Sequence, residues 1–531
     1  MTNSPTLRFI NGSIVTMDVD RPAVGEVVTQ GGRIVWIGNS GDAPIEFRRA
    51  RTIDLKRRLL LPAFTDAHTH FLKWALSLDT VDLTGATSVQ AALKRIRGHA
   101  QRSSSRSQWL TGAGFDVNLW GGVLPTRHML DRICPDRPVV MESHDEHAMW
   151  VNSETLRRCR IDRATPDPDG GRIVRDARGE PTGMVLETVC NRVWEALPKP
   201  THRAMERAVL AAQRRAHAVG VVAIGDMGVP ETLSVFQSLH DSARLRLRLW
   251  KSVALHDMDS AIALGLRSGI GNEWITIGSV KVFLDGALGS RTAWMYQSYS
   301  GDRANRGICR LDQNRFDAAV RRATSHGLSI CVHAIGDAAV GAAIDVMRKY
   351  NQRFPRCQPP RIEHLQLLQP NDLKKLVGTR IIASMQPSHL LTDRDIADRH
   401  WGTRARNAFA LRSLWDAGVP LAFGSDVPIE PLCPLDGIGA SVHRARPDDN
   451  RGSWYPRQRL SVWEAVWGFT AGAAYACGGG ERRGRILPGQ LADLVVLDRN
   501  IFTSRPANIF STKVDMAVVD GTIMWDRTNA G

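Results

Sequence analysis

Short apolar runs alternate with amphipathic segments along most of the chain, from about residue 62 to residue 483. Segments such as FDAAVRRATSHG and GAAIDVMRKYNQRF space their apolar residues three and four positions apart, as one buried face of an α-helix requires. The runs between them are almost uniformly apolar, which is typical of parallel strands covered on both faces. This alternation predicts βα units and therefore an α/β fold.

Both ends of the chain have a different pattern, in which short β-rich runs are separated by glycine turns. The N-terminal part contains TLRFINGSIVTM, VVTQGGRIVWIG and RTIDLKRRLLL, with NG and GG as hairpin signals. The C-terminal part contains LADLVVLD and DMAVVDGTIMW. We therefore predict that residues 1–61 and 484–531 pair in one composite β-sandwich, and that residues 62–483 form the body between them.

The number of apolar runs in the body predicts its architecture. Eight runs qualify as buried strands, and several of them end in a histidine or an aspartate: LLLPAFTDAHTH, VVAIGD, LRLWKSVAL, SVKVFLDG, LSICVHA, RIEH, IIASMQP and PLAFGSD. Eight βα units are the number that closes a (β/α)8 barrel of the TIM type. We predict this barrel as the main domain.

The spacing of the strand ends predicts an insertion in the barrel. His333 and His364 are 31 residues apart, and Asp426 lies 62 residues after His364, so one further strand fits between these two. From His68 to Asp226, however, there are 158 residues, far more than one βα unit needs. We predict an insertion over about residues 75–212, after barrel strand one, and interpret it as a lid or specificity subdomain.

Composition narrows the class of protein. The chain has 531 residues, 43% of them hydrophobic and 23% charged, and its apolar runs are shorter than the eighteen residues that a membrane-spanning helix needs. The start MTNSPTLRFINGSIVTMD lacks the long apolar block of a secretory signal. Eight widely spaced cysteines without a CxxC motif fit a reducing compartment. We expect a cytoplasmic protein with no membrane partner.

The net charge of +15 raises the question of a nucleic-acid partner. Only ten of the 69 basic residues are lysines, and the arginines are scattered among acidic residues instead of forming a basic block. We therefore expect no nucleic-acid binding and a small-molecule substrate. The sequence leaves a homo-oligomer open.

Candidate metal ligands follow several of the predicted barrel strands. His68 and His70 alternate in an extended segment and so project to the same side, although such a pair alone could be two ordinary loop histidines. His333, His364 and Asp426 also end apolar runs, and the carboxyl ends of barrel strands form one mouth. Four imidazoles and one carboxylate suit zinc or another borderline divalent metal in an open catalytic site.

The remaining histidines lack this support. We expect surface or helix positions without a metal role for five of them: His99, His128, His217, His326 and His389. His144, in the predicted insertion, is likewise expected to bind no metal.

Lys281 lies inside the apolar run SVKVFLDG, although the chain has only ten lysines. A buried ammonium carries a large desolvation cost unless it is paired or chemically changed. One interpretation is an ion pair with Asp285 or a neighbouring carboxylate. The other is carboxylation by carbon dioxide, which gives a carbamate whose two oxygens can bridge two metal ions.

Taken together, these motifs resemble the amidohydrolase superfamily of metal-dependent hydrolases. AHTH on strand one, a lysine on strand four, histidines on strands five and six and an aspartate on strand eight follow the pattern of that superfamily. The segments FLDGALGSRTAW, VHAIGDAAV, RIEHLQLL, GSDVPIEPLCPL and GRILPGQLADLVVLDRN are similar to the branch that contains N-substituted formamide deformylase, amidohydrolase family 3. The insertion, with its Trp-Val-Asn-Ser sequence, is similar to that branch as well.

The resemblance implies a distorted barrel with a centre of one or two metal ions, zinc being expected and other divalent metals allowed. In this scheme His68, His70 and Asp426 bind the first ion. The second ion is bound by His333 and His364, and carboxylated Lys281 bridges the two. A metal-bound hydroxide attacks the carbonyl of an amide-type C–N bond, and Asp426 accepts its proton and passes that proton to the leaving amine.

The resemblance also suggests substrate-binding residues. Each of them has an alternative interpretation as a packing, capping or loop residue. For His147 we expect a role in the lid. The candidates are His147, Trp150, Asn152, Glu187, Asp285 and Arg291.

Three other functions stay open at this stage. A hydrolase of cyclic imides, lactams or esters would use the same centre. A mononuclear deaminase of the same superfamily would dispense with the lysine, so Lys281 argues against it. A non-catalytic interaction protein would be expected to have lost ligands, and none is missing from this sequence.

Overall fold

A computed structural model of the chain describes residues 5–102, 109–143, 148–355 and 358–529. Its contacts form two compact units. The barrel unit comprises Met1–Trp74 and Val209–Gly531, and the inserted unit comprises Ala75–Ala208. The inserted unit therefore follows the first barrel strand, as predicted. The inserted unit ends at residue 208, four residues before the predicted boundary at residue 212. Its role as a lid stays a prediction.

The strands fall into three groups along the chain. The first group is β1 (Leu7–Ile10), β2 (Ser13–Val15), β3 (Ala23–Val24), β4 (Glu26–Gln30), β5 (Arg33–Gly38), β6 (Arg51–Asp54), β7 (Leu59–Pro62) and β8 (Phe64–Thr69). The inserted unit has β9 (Val81–Asp82), β10 (Leu110–Phe115), β11 (Val139–Ser143), β12 (Ala148–Val151), β13 (Gly171–Arg175) and β14 (Pro181–Glu187). The last group is β15 (Val221–Asp226), β16 (Arg248–Ala254), β17 (Ile275–Phe283), β18 (Ile330–Ala334), β19 (Arg361–His364), β20 (Ile382–Met385), β21 (Leu421–Phe423), β22 (Leu494–Leu497), β23 (Val514–Val519) and β24 (Thr522–Asp526).

Helices connect most of these strands. They are α1 (Phe71–Ser77), α2 (Val89–Arg102), α3 (Arg127–Asp131), α4 (Ser153–Arg158), α5 (Thr188–Ala196), α6 (His202–Ala218), α7 (Glu231–Asp241), α8 (Met258–Ala263), α9 (Gln313–Ser325), α10 (Asp337–Lys349), α11 (Pro370–Leu376), α12 (His389–Trp401), α13 (Leu411–Asp416), α14 (Pro434–His443), α15 (Val462–Trp467) and α16 (Ala473–Ala476). None of the helices in the described ranges combines the length and the apolar character needed to cross a membrane.

Helix α9 shows how the sequence pattern produces a barrel helix. The carboxylate of Asp312 accepts a hydrogen bond of 3.0 Å from the backbone N–H of Arg315 and so caps the first turn. Phe316, Val320 and Ala323 recur at intervals of three and four residues and are buried. The amphipathic pattern thus predicts the helix and its buried face correctly.

The barrel is the eight-stranded sheet with the order β21-β20-β19-β18-β17-β16-β15-β8. Every neighbouring pair in it is parallel, and the predicted apolar runs supply all eight strands. The fold prediction of a (β/α)8 barrel is therefore confirmed.

The first and last barrel strands meet along a seam, which is the contact of β8 with the segment after β21. Thr69 forms a parallel bridge with Val427. The backbone N–H of Asp426 donates a hydrogen bond of 2.8 Å to the carbonyl of His68, and His70 donates one of 2.8 Å to Val427. At Gly424 a Cβ would lie 2.5 Å from the backbone nitrogen of His68, so only glycine permits this close approach. The seam brings the end of strand one directly beside the end of strand eight.

The two termini form the predicted composite β-sandwich. One sheet has the order β5-β4-β1-β6, and the other has the order β24-β23-β22-β7-β2-β3. Strand β7 pairs antiparallel with β22, with Leu61 opposite Val495, so N- and C-terminal strands share a sheet. Leu7, Phe9 and Val496 are fully buried between the sheets. Burial of such side chains holds the two ends of the chain together.

The inserted unit has its own sheet and core. Its strand order is β13-β14-β12-β11-β10-β9. Trp150, Met141 and Leu130 are buried on one side of this sheet, whereas Val185 and Val189 belong to a second buried cluster. The unit thus has enough buried apolar surface of its own to be a distinct subdomain.

Candidate metal centre

The imidazoles that the sequence predicts as ligands converge at the carboxyl ends of the barrel strands. His68 and His70 are at the end of β8, His333 is in β18 and His364 ends β19. The ring centroids of His68 and His364 lie 5.0 Å apart, and those of His333 and His364 lie 4.4 Å apart. The ring of His70 lies 5.8 Å from that of His68. The structure therefore brings all four predicted histidines into one cluster.

Asp426 completes this cluster from the seam. Its Oδ1 lies 3.4 Å from Nε2 of His68 and 3.3 Å from Nε2 of His70. Burial alone would raise the pKa of this carboxyl, but the adjacent imidazoles of His68 and His70 outweigh burial and hold the pKa below its ordinary value. Asp426 is therefore ionised and is the anionic member of the cluster.

Two residues of the cluster have backbones in the left-handed region. The φ angle is 72° at His364 and 62° at Asp426. A residue with a Cβ adopts this conformation only when its surroundings enforce it, and such strain is concentrated at functional sites. His364 is the last residue of the buried strand β19, and Asp426 follows the buried strand β21 after two residues.

Glu363 is a buried neighbour of His68 that the sequence analysis missed. Its Oε2 lies 2.7 Å from Nδ1 of His68, and its Oε1 accepts a hydrogen bond of 2.6 Å from Arg361. Arg361 also donates to the backbone carbonyl of Ala67 at 2.7 Å. All three polar side chains are buried, and the charges of Arg361 and His68 outweigh burial so that the pKa of Glu363 lies below its usual value. A carboxylate in this place fixes the ring of His68 with Nε2 directed towards Asp426.

Lys281 is buried in β17, as predicted, with 5% of its surface exposed. In the described ranges no carboxylate forms an ion pair with it, and its Nζ lies 4.8 Å from the centre of the Phe283 ring. Burial lowers the pKa of its amine, although Glu363 acts in the opposite direction. The ion pair with Asp285 that the sequence allowed is not formed.

Asp285 instead binds backbone amides. Its carboxylate accepts hydrogen bonds from Trp294 at 3.0 Å and Gly336 at 2.8 Å, and Nε2 of His333 lies 3.5 Å away. Burial raises the pKa of Asp285 to about 7, against the effect of the hydrogen bonds. These contacts give Asp285 a structural role between the loops after β17 and β18. Its predicted contact with substrate stays a prediction.

Arg291 lies in the loop after β17 and is half exposed. Its guanidinium forms an ion pair of 3.3 Å with Asp302, and its φ angle is 55°. Because the ion pair is exposed, it contributes little to the stability of the fold. The guanidinium is also accessible to a ligand. Substrate binding by Arg291 stays a prediction.

The other predicted substrate residues lie in the inserted unit. Trp150 is fully buried there, and its indole donates a hydrogen bond of 3.0 Å to the carbonyl of Thr126. Asn152 is also fully buried and caps helix α4 by accepting from the backbone of Thr155 at 3.0 Å. These contacts are structural, so packing and capping explain both residues without a substrate. Glu187 is exposed at the end of β14, and His147 lies outside the described residues.

The donor atoms of the cluster fit a divalent metal ion. Ligand atoms of His68, His70 and Asp426 all lie within 4.8 Å of one another. In the described part of the chain, Nδ1 of His364 is buried without a hydrogen-bond partner, and Oδ1 of Asp426 is buried beside Nε2 of His68 and Nε2 of His70. Burial lowers the pKa of His333 to about 3 and that of His364 well below its usual value, which keeps both imidazoles in the neutral form that binds metal. Burying a polar atom without a partner costs folding free energy, and a bound metal ion would remove that cost by coordinating these atoms.

His389 is the second residue that the sequence analysis missed. It was expected at a surface or helix position, and it is indeed the first residue of α12, but it is buried against the cluster. Its Nε2 lies 3.8 Å from Oδ2 of Asp426. The available signal was the position of His389 two residues after the run IIASMQP, which contains the seventh strand.

Comparison with known proteins agrees with this description. The amidohydrolase family pattern matches residues 51–524. A Bacillus subtilis (strain 168) protein named as an amidohydrolase, YtcJ, is 30% identical over 90% of this chain and 90% of its own length. N-substituted formamide deformylase of Arthrobacter pascens is 25% identical over the full length of both chains. The crystal structure of an uncharacterized metal-dependent hydrolase from Pyrococcus horikoshii OT3 superposes with a TM-score of 0.79, at 27% identity, over 94% of this chain and 99% of that chain.

Proposed function

The chain belongs to the amidohydrolase family, and from this premise we propose that it hydrolyses a carbon–nitrogen bond of amide type in a small, non-peptide molecule. The observation that carries the proposal is the convergence of four imidazoles and the Asp426 carboxylate at the barrel mouth. Such a donor set is used by open catalytic metal sites. The similarity to a formamide deformylase supports an amide substrate.

The cluster offers positions for one or two divalent ions. We propose that His68, His70 and Asp426 hold the first ion and that His333 and His364 contribute to the second. Zinc suits this mixture of imidazole and carboxylate ligands. A bound ion of this kind lowers the pKa of a coordinated water and polarises the carbonyl of the substrate.

Asp426 has the position and charge of a proton shuttle. Its carboxylate is ionised and so has a free oxygen lone pair that can accept a proton from the attacking water. It would then donate that proton to the amide nitrogen, so that the C–N bond breaks with a neutral amine as the leaving group. Glu363 supports this step indirectly because it fixes the ring of His68 beside Asp426.

We also propose that Lys281 is carboxylated. Burial lowers the pKa of the Lys281 amine and so favours its uncharged form, and an uncharged amine can add to carbon dioxide with loss of one proton from nitrogen. The absence of an ion pair to Lys281 in the described ranges supports this chemistry, since a paired ammonium would not react. The carbamate would supply the anionic charge that a centre of two ions requires.

A substrate panel tests the function. We would assay zinc-reconstituted protein with matched N-substituted formamides, longer N-substituted amides, lactams and cyclic imides, esters, and an aminoheterocycle for deamination. Release of amine and acid from the open-chain amides, with at least about tenfold lower kcat/KM on the other classes, is the expected result. Preferential turnover of lactams, esters or the aminoheterocycle would replace the proposed function with the corresponding alternative. Protein carrying Asp426→Asn measures the background of the assay.

A further inference from the structure

His389 occupies a place in the barrel that connects two predicted ligands. In the barrel sheet β20 lies between β19 and β21. His364 ends β19, and Asp426 follows β21 after two residues. A short turn leads from β20 to His389, whose backbone N–H donates to the carbonyl of Gln386 at 3.1 Å. The first side chain of α12 is therefore placed between the ends of its two neighbouring strands.

His389 is buried and, among the residues that the structure describes, has a ring nitrogen without a hydrogen-bond partner. The residue is 7% exposed, and within the described residues its Nε2 is buried without a hydrogen-bond partner. The ring centroids of His389 and His364 lie 6.1 Å apart. Ligand atoms of His364, His389 and Asp426 all lie within 4.8 Å of one another. A buried imidazole nitrogen is costly when it is left unpaired, so a partner is expected in this space.

The two oxygens of Asp426 face different groups of imidazoles. Oδ1 lies 3.3 Å from His70 and 3.4 Å from His68, whereas Oδ2 lies 3.8 Å from Nε2 of His389. One carboxylate therefore participates in two sets of three donors, each consisting of two imidazoles and one oxygen. Carboxylates commonly bind two ions through their two oxygens, and two imidazoles with one carboxylate form an open site for zinc.

We propose that His389 is a metal ligand, which together with His364 and Oδ2 of Asp426 helps to hold the second divalent ion. The inference rests on the proposed function because it needs a metal-loaded centre, but it assigns a residue that the predicted ligand set lacks. The geometry carries the proposal, because the carboxylate of Asp426 lies beside both His364 and Nε2 of His389, which is unpartnered in the described ranges.

Zinc binding to the metal-free protein tests this role without an activity measurement. We would titrate zinc into wild-type protein and into the His389→Gln and His389→Ala variants. The control is His400→Gln, because His400 is half-buried on the same helix and its ring contacts Tyr299 instead of the cluster. We expect loss of one bound zinc, or at least about tenfold weaker binding of it, in both His389 variants and unchanged binding in the control. Unchanged zinc stoichiometry and affinity in folded His389 variants would overturn the proposal.

Crystals of zinc-loaded wild-type protein provide a second test that needs no variant. Anomalous scattering should place a zinc ion about 2.0–2.1 Å from Nε2 of His389. Zinc bound at His68 and His70 but distant from His389 would reject this inference and leave the proposed function standing. Wild-type protein that binds no zinc or other divalent metal in either experiment would contradict both.

Discussion

Oε2 of Glu363 lies 2.7 Å from Nδ1 of His68, and this contact decides which nitrogen of the ring faces Asp426. Glu363 is itself held by Arg361, so an arginine, a carboxylate and an imidazole form a buried chain that ends at the candidate metal centre. The barrel interior thus orients the imidazole of His68, a proposed metal ligand, as well as filling space.

Replacement of Glu363 by glutamine should weaken metal binding. The amide keeps the size of the side chain but loses the charge that fixes the ring of His68, and changes at such positions typically cost about 10- to 100-fold in metal affinity. Zinc competition titration of the folded variant measures the effect. Glu273→Gln is the matched control, because Glu273 pairs with Arg33 at a half-exposed position away from the site. Equal zinc affinity in the two variants would show that the Glu363 contact is not needed for binding.

Removal of His68 should remove metal and activity together. His68→Ala deletes a ligand of the first ion, so we expect loss of at least that zinc and of most of the turnover. Metal analysis and an amide assay on the same preparation measure both quantities. His326→Ala, at an exposed position, should retain both. Full zinc content in His68→Ala protein would exclude this histidine as a ligand.

Replacement of Asp426 by asparagine should act mainly on kcat. The amide oxygen can still coordinate a metal, so we expect the fold and much of the metal to be retained, but the group that accepts the proton is lost. General acid–base catalysis contributes about 100- to 10,000-fold, and kcat should fall by this factor while KM changes little. Steady-state kinetics on an amide substrate, with metal content measured in parallel, provide the test. A kcat near that of the wild type would assign the proton transfer to another residue.

Carboxylation of Lys281 should be visible by NMR. Protein reconstituted with ¹³C-bicarbonate should show a carbamate carbon signal that Lys281→Arg protein lacks, since the guanidinium does not form a stable carbamate. Reconstitution with zinc in carbon dioxide-free buffer should give lower activity that bicarbonate restores. Identical spectra for the wild type and the arginine variant would mean that Lys281 is unmodified.

His217 should make stability depend on pH. It is buried in the barrel unit, its Nε2 lies 2.8 Å from the carbonyl of Arg246, and burial lowers its pKa to about 4. The unfolded chain binds this proton near pH 6.5, so the free energy of unfolding should fall by about 3 kcal/mol as the pH decreases from about 6.5 to 4. Urea unfolding at several pH values measures the slope. The His217→Gln variant has no group that titrates at this position and should lose this part of the pH dependence. The control His326→Gln, at an exposed position, should keep it. Equal slopes of unfolding free energy against pH in the two variants would contradict the assignment.

The sequence predicted the barrel because its strands are apolar on both faces and end in residues with metal-binding side chains. SICVH and RIEH show both properties, and the structure places His333 and His364 together. The composite sandwich was predictable for a similar reason, since hairpin signals occur at both ends of the chain. Local pattern is sufficient where each strand carries its own signal.

Residues that act through another strand were harder to predict. Arg361 and Glu363 are two residues apart in RIEH and so project to the same side of the strand, but their partner His68 is 295 residues away in sequence. His389 is similar, because only the order of strands in the closed barrel reveals that it lies beside Asp426. Two charged residues at alternate positions of a buried strand were the available signal for Glu363.

The seam between β8 and the segment after β21 joins residues that the ribosome adds at very different times. His68 and Asp426 are hydrogen-bonded through their backbones although 358 residues separate them in the sequence. At a synthesis rate of about 5–20 residues per second, the ribosome adds Asp426 roughly 20–70 s after His68. During this interval the nascent chain contains the first two imidazoles without the carboxylate that they share, so the donor set of the proposed centre becomes complete only late in synthesis.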